Sequence, residues 1–446
     1  MKQRRGSSMA TTATDWRVAH RSKIISPQQA AQFVKSGSKV GGGSVEINAA
    51  LRARAPELRD VAVPASAEWL TEEMSKSFRG NTIYVGRPMR APVAAGLVDY
   101  LLPQCATYPR LTEFGRTERF AFDVFYANLS PPDRDGRCSF GLGLGWSKTS
   151  VMRSKIVVGQ IDPSVPRTGG DNWVSIDDID WLVESPPRAG AAEARPSQWD
   201  PTEEEANDPI IKGIAANWLK LIRDGDVLQF GAGKITFALP PWLASKRRLS
   251  IYTEICPAGV FDLMKTGVVD GQTNSRHPGK LVAVSLAPRT DQIPWIDGNP
   301  NIELYEFGYV NNPAHLSTID NLVANNSCLA IDLFGQVDAE SRDGHMMAGA
   351  GGQFEFVIGA TLSTGGRSIH VLRSTDRDGS SNIVPDLGRG ARVTISRNWT
   401  DFVVTECGIA SLMGKSERGR AEELISVAHP KHRAELTQAA KDLIGF

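Results

Sequence analysis

A carboxylate standing where a buried strand hands over to a helix is placed where chemistry can happen, and Glu254 is such a residue. Leu249 to Thr253 has the β-branched and aromatic content of a buried strand. From Pro257 onward Val260, Phe261, Leu263 and Met264 fall at helical spacing, and Gly267 closes the helix. In an open α/β sheet such a handover lies at the carboxyl edge of the strands, where ligands bind and helix amino termini favour negative charge. Taken alone, the segment is accounted for more plainly by an acid complementing a helix dipole. Glu406, following Val403-Val-Thr, is a second glutamate after a second strand and competes for the same role. Gly349-Ala-Gly-Gly352 is dense enough in glycine for backbone amides to approach a ligand as an oxyanion or phosphate nest, or else to form a tight turn or bulge. Arg377, in Asp376-Arg-Asp-Gly379, is either a solvated loop charge or a planar fork for phosphate or carboxylate. Among the seven histidines none has metal-ligand spacing, and His429-Pro-Lys-His432 reads as a turn flanking a helix, so no metal site is expected. A nucleotide-binding reading of Phe140-Gly-Leu-Gly-Leu-Gly145 is weak, because the spacing is wrong and no acid follows about twenty residues later.

The elements that must position these residues alternate. Ser26-Pro-Gln-Gln29 is a capping box with proline at the first helical position, opening a helix to about Lys35. Val40, the glycines Gly41 to Gly43 and an amphipathic stretch from Ile47 to Leu58 then give strand, glycine turn and helix. Val93 to Leu102, Phe122 to Leu129 and Ile156 to Ile161 continue the alternation. From Ala189 to Pro209 the composition turns to Ala, Pro, Glu and Asp without apolar periodicity, which marks a linker. Ile210 to Ile222 then reads as a helix leading into Asp224-Gly-Asp-Val-Leu228, the turn Gly231-Ala-Gly233 and a helix from about Ile235. That order repeats the first half, so an internal duplication is expected, with Gly41 to Gly43 matching Gly231 to Gly233. Only the second copy puts a carboxylate straight after its next strand; the first reads Asp60-Val-Ala-Val-Pro64 there. Past Glu254 come Val310-Asn-Asn-Pro313 and a strand at Leu329 to Leu333. The expected organisation is a disordered extension over 1–20, an α/β domain over 21–190, a linker over 191–209 and a catalytic α/β domain over 210–446.

At 446 residues the chain is too long for one ordinary core. Lys plus Arg and Asp plus Glu both total 50, so no bulk attraction to nucleic acid or to an anionic membrane is implied. Five widely separated cysteines without a Cys-x-x-Cys pair look like reduced thiols, which suggests a cytoplasmic protein. No apolar run approaches the length of a membrane span. The start, Met1-Lys-Gln-Arg-Arg-Gly-Ser-Ser-Met9, has no apolar core to make it a secretory signal, and a weak organellar-targeting alternative stays open.

With these pieces in order the chain resembles the acetyl-CoA hydrolase and CoA-transferase family, the group that includes 4-hydroxybutyrate and butyryl-CoA:acetate CoA-transferases. The resemblance runs from about Ile25 to the end. It rests on Pro131-Pro-Asp-Arg-Asp-Gly-Arg-Cys-Ser139, Asp226-Val-Leu-Gln-Phe-Gly-Ala-Gly233, Tyr252-Thr-Glu254, Gly349-Ala-Gly-Gly-Gln353 and Arg397 to Ala410. It implies two duplicated open α/β CoA-transferase domains fused in one chain, with Glu254 as nucleophile and Asn311 as an active-site asparagine. It implies further that Gly231, Ala232, Gly233, Lys234 and Ile235 form the CoA-binding loop, with Ala348, Gly352 and Arg377 as other CoA contacts. Two departures from the family pattern, Ala232-Gly-Lys234 and Asp338, bear on acyl-chain preference.

The implied reaction is an exchange of CoA between a short-chain acyl-CoA and a short-chain carboxylate or dicarboxylate, by ping-pong kinetics through a glutamyl-CoA thioester. Coenzyme A is then a substrate, and no permanently bound cofactor is expected. An acyl-CoA hydrolase would use the same glutamate, and a non-catalytic CoA-binding protein is the remaining alternative. No nucleic-acid or membrane partner is expected, and a homo-oligomer stays open.

Overall fold

The computed structural model describes residues 15–64, 71–102, 105–107, 121–186 and 200–445. Two parallel sheets organise them. The first half supplies β1 (Val40–Gly42), β2 (Val61–Pro64), β3 (Phe78–Thr82), β4 (Val98–Tyr100), β5 (Val124–Leu129), β6 (Ile156–Ile161) and β7 (Trp181–Glu184). They lie in the order β4-β3-β2-β1-β5-β6-β7, all parallel, with β2 joined to β1 through one bridge between Lys39 and Ala62. The second half supplies β8 (Val227–Phe230), β9 (Ser250–Pro257), β10 (Leu281–Ala287), β11 (Ile302–Leu304), β12 (Leu322–Ser327), β13 (Arg367–Val371) and β14 (Phe402–Thr405). Their order is β11-β10-β9-β8-β12-β13-β14, again all parallel. Each half therefore starts at the centre of its sheet, builds outward on one side with the next three strands and fills the other side with the last three. The fold is α/β and the chain is a fused duplication, with Gly41–Gly43 closing β1 as Gly231–Gly233 closes β8.

Parallel strands covered on both faces read as continuous apolar runs, and β10 is buried along its whole length except at Ser285. Trp218 on the helix Pro209–Leu219, Phe230 on β8 and Phe261 on the helix Ala258–Lys265 meet in the core of the second half. The halves are not separate bodies. Gly169–Gly170 of the first adds a strand beside β11. The Leu144 amide donates to the Val284 carbonyl at 3.0 Å, and the Leu286 amide to the Leu142 carbonyl at 2.7 Å. The glycine-spaced segment Phe140–Gly145 is thus a docking segment, in which Gly143 forms an isolated antiparallel bridge with Ser285.

Three expectations shift. The capped helix at Ser26 covers Pro27–Ala31 and stops short of Lys35, since Phe33 and Val34 turn in through tighter bonds that bury Val34 completely. Within the stretch expected as extension, Asp15 caps a short helix Trp16–Ala19 and Arg17 pairs with Glu184, while residues 1–14 lie outside the described residues. Within the expected linker, Thr202 and Glu205 form a capping box for the helix Glu203–Asn207; residues 191–199 lie outside the described ones. That helix buries none of its residues, so apolar periodicity had nothing to register. All five cysteines are free thiols. Among the described residues no helix is long and apolar enough to cross a membrane, and no group of three His, Cys, Asp or Glu side chains has the arrangement of a metal site.

Candidate active site

Glu254 lies inside β9 rather than after it. The strand continues because β10 pairs with it as far as Pro257, opposite Ala287. Its other edge is released early. β8 pairs only with Ser250 and Ile251, then turns off at Gly231 after the Phe230 amide donates to Thr253 Oγ1 at 3.0 Å. The side chain that follows this release is Glu254, at the carboxyl edge of the sheet and only partly accessible.

Two donors converge on its carboxylate. Asn311, completely buried at the end of the short helix Phe307–Val310, donates from Nδ2 to Glu254 Oε2 at 2.7 Å. The second donor is the amide of Gly352, the cap of the helix Gln353–Leu362, so the positive end of that helix also faces the acid. Burial pushes the Glu254 carboxyl above its ordinary range, and the Asn311 and Gly352 donors pull against that shift. A methyl group on Gly352 would overlap both Asn311 Nδ2 and Glu254 Oε2, which is why a glycine must stand there. Asn311 Oδ1 is buried without a hydrogen-bond partner among the described residues.

The first half closes the site from the other side. A methyl on Gly349 would lie 2.8 Å from the Ile83 carbonyl, just past β3. Tyr100 of β4 donates to Glu340 Oε1 at 2.9 Å and accepts from the Ala350 amide at 3.2 Å, and Arg90 Nε donates to the Met347 carbonyl at 2.8 Å. The Tyr84 phenol and the Cys105 thiol are both pushed up, by burial first and by the charge of Glu254 second. Sequence reading missed Tyr84, Arg90, Tyr100 and Cys105, and no local pattern marks them. Glu355, three residues past Gly352, was missed as well, although the glycine motif pointed to its neighbourhood.

Of the residues expected to act, Glu254, Asn311 and Gly352 are in contact. Gly231, Ala232, Gly233, Lys234 and Ile235 lie on the same carboxyl edge, one strand along. Gly231 packs against the Asn326 side chain too closely for any larger residue, and the exposed Lys234 pairs with Glu205. Ala348 spends its amide on the Glu340 carbonyl at 3.1 Å. Arg377 follows β13 in an exposed turn and has no hydrogen-bonding or charged partner among the described residues. Asp338 accepts the amides of Glu340 and Ser341 at 2.8 and 2.7 Å, so it shapes the turn that leads to the glycine loop. Glu406 is committed elsewhere: it accepts from the Ser374 amide at 3.0 Å and from the Ser374 hydroxyl. It also lies after β14, four strand intervals or about 19 Å from the strand of Glu254.

Known proteins resemble this chain along nearly its whole length. The family model of the acetyl-CoA hydrolase/transferase N-terminal domain matches residues 9–191, and that of the C-terminal domain matches residues 291–440. The 4-hydroxybutyrate coenzyme A transferase of Clostridium kluyveri is 34% identical, covering 96% of this chain and 99% of its own. The crystal structure of RipA from Yersinia pestis superposes with a TM-score of 0.85 at 29% identity, over 97% of this chain and 100% of that one. The 4-hydroxybutyrate CoA-transferase of Porphyromonas gingivalis does so with a TM-score of 0.76 at 30% identity, over 96% and 100%.

Proposed function

The chain belongs to the acetyl-CoA hydrolase/transferase family, and from that premise we propose that it is an acyl-CoA:carboxylate CoA-transferase working through a covalent intermediate on Glu254. The observation that carries this reading is the convergence of the Asn311 amide and the Gly352 N–H on one carboxylate at a strand edge shared by both halves.

In the first step a Glu254 oxygen attacks the thioester carbonyl. The C–S bond breaks, CoA leaves as thiolate and a mixed anhydride remains. The thiolate then attacks the glutamyl carbonyl and expels the donor acid as carboxylate, leaving CoA as a thioester on Glu254. An incoming carboxylate runs the two steps in reverse. Each addition places negative charge on an oxygen, and amide donors already aimed at the carboxylate stabilise that charge without rearranging. The raised basicity of a half-buried Glu254 adds to its nucleophilicity while Asn311 and Gly352 keep it ionised.

Along the same edge β9, β8, β12 and β13 succeed one another over three strand intervals, about 14 Å, with Glu254 on the first, the Gly231–Ile235 loop after the second and Arg377 in the turn beyond the last. An extended thiol ester lying across the strand ends would meet them in turn, with Arg377 at the phosphate end and its fork of donors free. CoA enters and leaves as a substrate, and the cycle calls for no metal, nucleotide triphosphate or redox group. The free thiols support a reducing cytoplasmic setting.

The test is covalent. Enzyme incubated with acyl-CoA and no acceptor acid, then treated with borohydride, should be inactive and should carry, on the peptide containing Glu254, a side chain reduced to the alcohol. Enzyme treated without acyl-CoA should be unchanged. Active enzyme whose Glu254 is never marked would end this reading. CoA release that proceeds at full rate without any acceptor acid would make the protein a hydrolase.

A further inference from the structure

The loop that brings Gly352 to Glu254 carries little stiffness of its own. Three of the four residues before Gln353 are glycines, the residue type with the most backbone freedom to lose, and Gly351 sits at a positive φ of 54°. The fit at the carboxylate is nonetheless close, since a methyl on Gly352 would stand 2.1 Å from Glu254 Oε2 and one on Gly351 3.5 Å from Oε1. What holds the loop comes from outside it. The Met347 and Ala348 amides donate to the Glu340 carbonyl at 2.7 and 3.1 Å, and the Ala350 amide donates to Tyr100 Oη of the first half at 3.2 Å. Only Gly351 separates that last anchor from Gly352, and the Ala350 carbonyl accepts the Gln353 amide at 3.3 Å across the same turn.

The phenol is itself aimed. It has one proton, which goes to Glu340 Oε1 at 2.9 Å and leaves a lone pair for Ala350. Glu340 is 5% exposed, and its other oxygen accepts from Thr394 Oγ1 at 2.9 Å, which in turn accepts from the Ala339 amide at 3.0 Å. Both arms of this chain run toward the Glu340 carboxylate, so the bonds within each arm polarise one another. Burial first, and the Glu340 charge after it, hold the Tyr100 phenol above its ordinary range against the pull of the Ala350 amide, so it keeps the proton that the arrangement needs. Resting on the reading of Glu254 as the nucleophile, we propose that Tyr100 is a positioning residue for the reaction: by fixing the Ala350 amide it aims the Gly352 N–H at the oxygen that gains charge in each addition, so that the first half contributes to the chemical step through the second half's own loop. A residue that only braced the two halves together would act on stability and on binding. A positioning residue acts on kcat.

Tyr100→Phe keeps the ring and removes the oxygen. It should lower kcat about 10- to 50-fold, less than the loss of a whole oxyanion donor, with KM for acyl-CoA within about twofold of native. The peptide spanning 347–353 should exchange its amide hydrogens severalfold faster, a readout independent of turnover. Tyr126→Phe removes another first-half hydroxyl, one bonded to the Ala30 carbonyl at 3.0 Å, and should lower the melting temperature while kcat and the exchange of that peptide stay near native. In the Gly352→Ala background, where the donor is already displaced, adding Tyr100→Phe should cost no more than about twofold in kcat/KM. Losses that multiply in the double variant, a raised KM with native kcat, unchanged exchange of the loop, or an equal loss of kcat in Tyr126→Phe would each overturn the proposal. If Tyr100→Phe folds poorly, Thr394→Val slackens Glu340 and with it the phenol, and should speed exchange of the same peptide and lower kcat by a smaller factor; native values for both would then overturn it. Failure of the nucleophile reading looks different, because Glu254 of the native enzyme would go unmarked by borohydride whatever the Tyr100 variants do.

Discussion

The carboxyl edges of the two sheets are built alike and finished differently. Gln160 and His370 each stand one residue before the end of the corresponding strands β6 and β13. Gln160 is saturated: Nε2 donates to Glu46 at 2.7 Å and to Ser185 at 3.1 Å, and Oε1 accepts from Ser44. His370 Nε2 has no hydrogen-bond partner among the described residues, and burial lowers the ring to about 4, so it is neutral. On the same edge Ser327 Oγ and Asn311 Oδ1 are also buried without a hydrogen-bond partner among the described residues. Each such atom costs roughly 1–3 kcal/mol if nothing binds it. The first copy has closed its edge with its own side chains and lends the site Tyr84, Arg90, Tyr100 and the Cys105 turn. The second has kept its edge open around Glu254. On the proposed reading of Glu254, duplication lets one copy close its edge while the other keeps its edge for chemistry.

This division can be broken most directly at the acids. Glu254→Ala should fold normally and lose kcat/KM by on the order of 10^4-fold or more, as removal of a covalent nucleophile does. Glu406→Ala should stay within about tenfold, its loss acting through the Ser374 turn. Exchange assays on both variants decide it, and an active Glu254→Ala would dissolve the contrast between the edges.

One glycine from each half comes next. Gly352→Ala drives a methyl into Glu254 and Asn311 and should lower kcat/KM about 10^2- to 10^3-fold with little change in melting temperature. Gly42→Ala meets the Tyr126 carbonyl at a positive φ of 66°, and it should lower the melting temperature while kcat/KM of the folded fraction stays near native. Calorimetry beside initial rates would show whether the effects separate in this way.

Smaller effects follow along the open edge. Arg377→Ala should raise KM for acyl-CoA about tenfold and leave KM for the acid unchanged, as expected for loss of one charge-assisted contact. Equal changes in both constants would return Arg377 to a solvated loop.

The least effect is one of pH. His370 is neutral and buried with a folded value of about 4, against an unfolded value of about 6.5. The unfolded chain therefore binds the extra proton first as pH falls. Its contribution to stability is present above about 6.5 and is lost as pH drops toward 4. His370→Gln gives the second edge the residue type of the first, and its melting temperature should fall less steeply over that window. Identical slopes for native and variant would show that the two positions do not differ in the way their hydrogen bonding indicates.

Local patterns were enough to determine a good deal. The apolar run ahead of Glu254 and the helical spacing after Pro257 located the strand and the helix that follows it, though not the strand's end at Pro257, because periodicity and turn residues are properties of a few neighbours. The glycine turns at 41–43 and 231–233 exposed the duplication for the same reason. Glycine density marked the loop that ends at Gly352, and the family resemblance singled out Asn311, to which the residues alone gave no role. Tertiary structure decided the rest. β8 leaves β9 after Ile251 because its own chain turns at Gly231, and only that departure makes Glu254 an edge residue within a continuous strand. Glu254 and Glu406 look equivalent along the chain, yet sheet order separates them and Ser374 occupies the second. Tyr84, Arg90, Tyr100 and Cys105 reach the site because two sheet edges pack face to face, joining residues some 250 positions apart, such as Tyr100 and Ala350. Spacing along a chain carries no record of such contacts, since they depend on which buried faces meet and not on the order in which residues are joined.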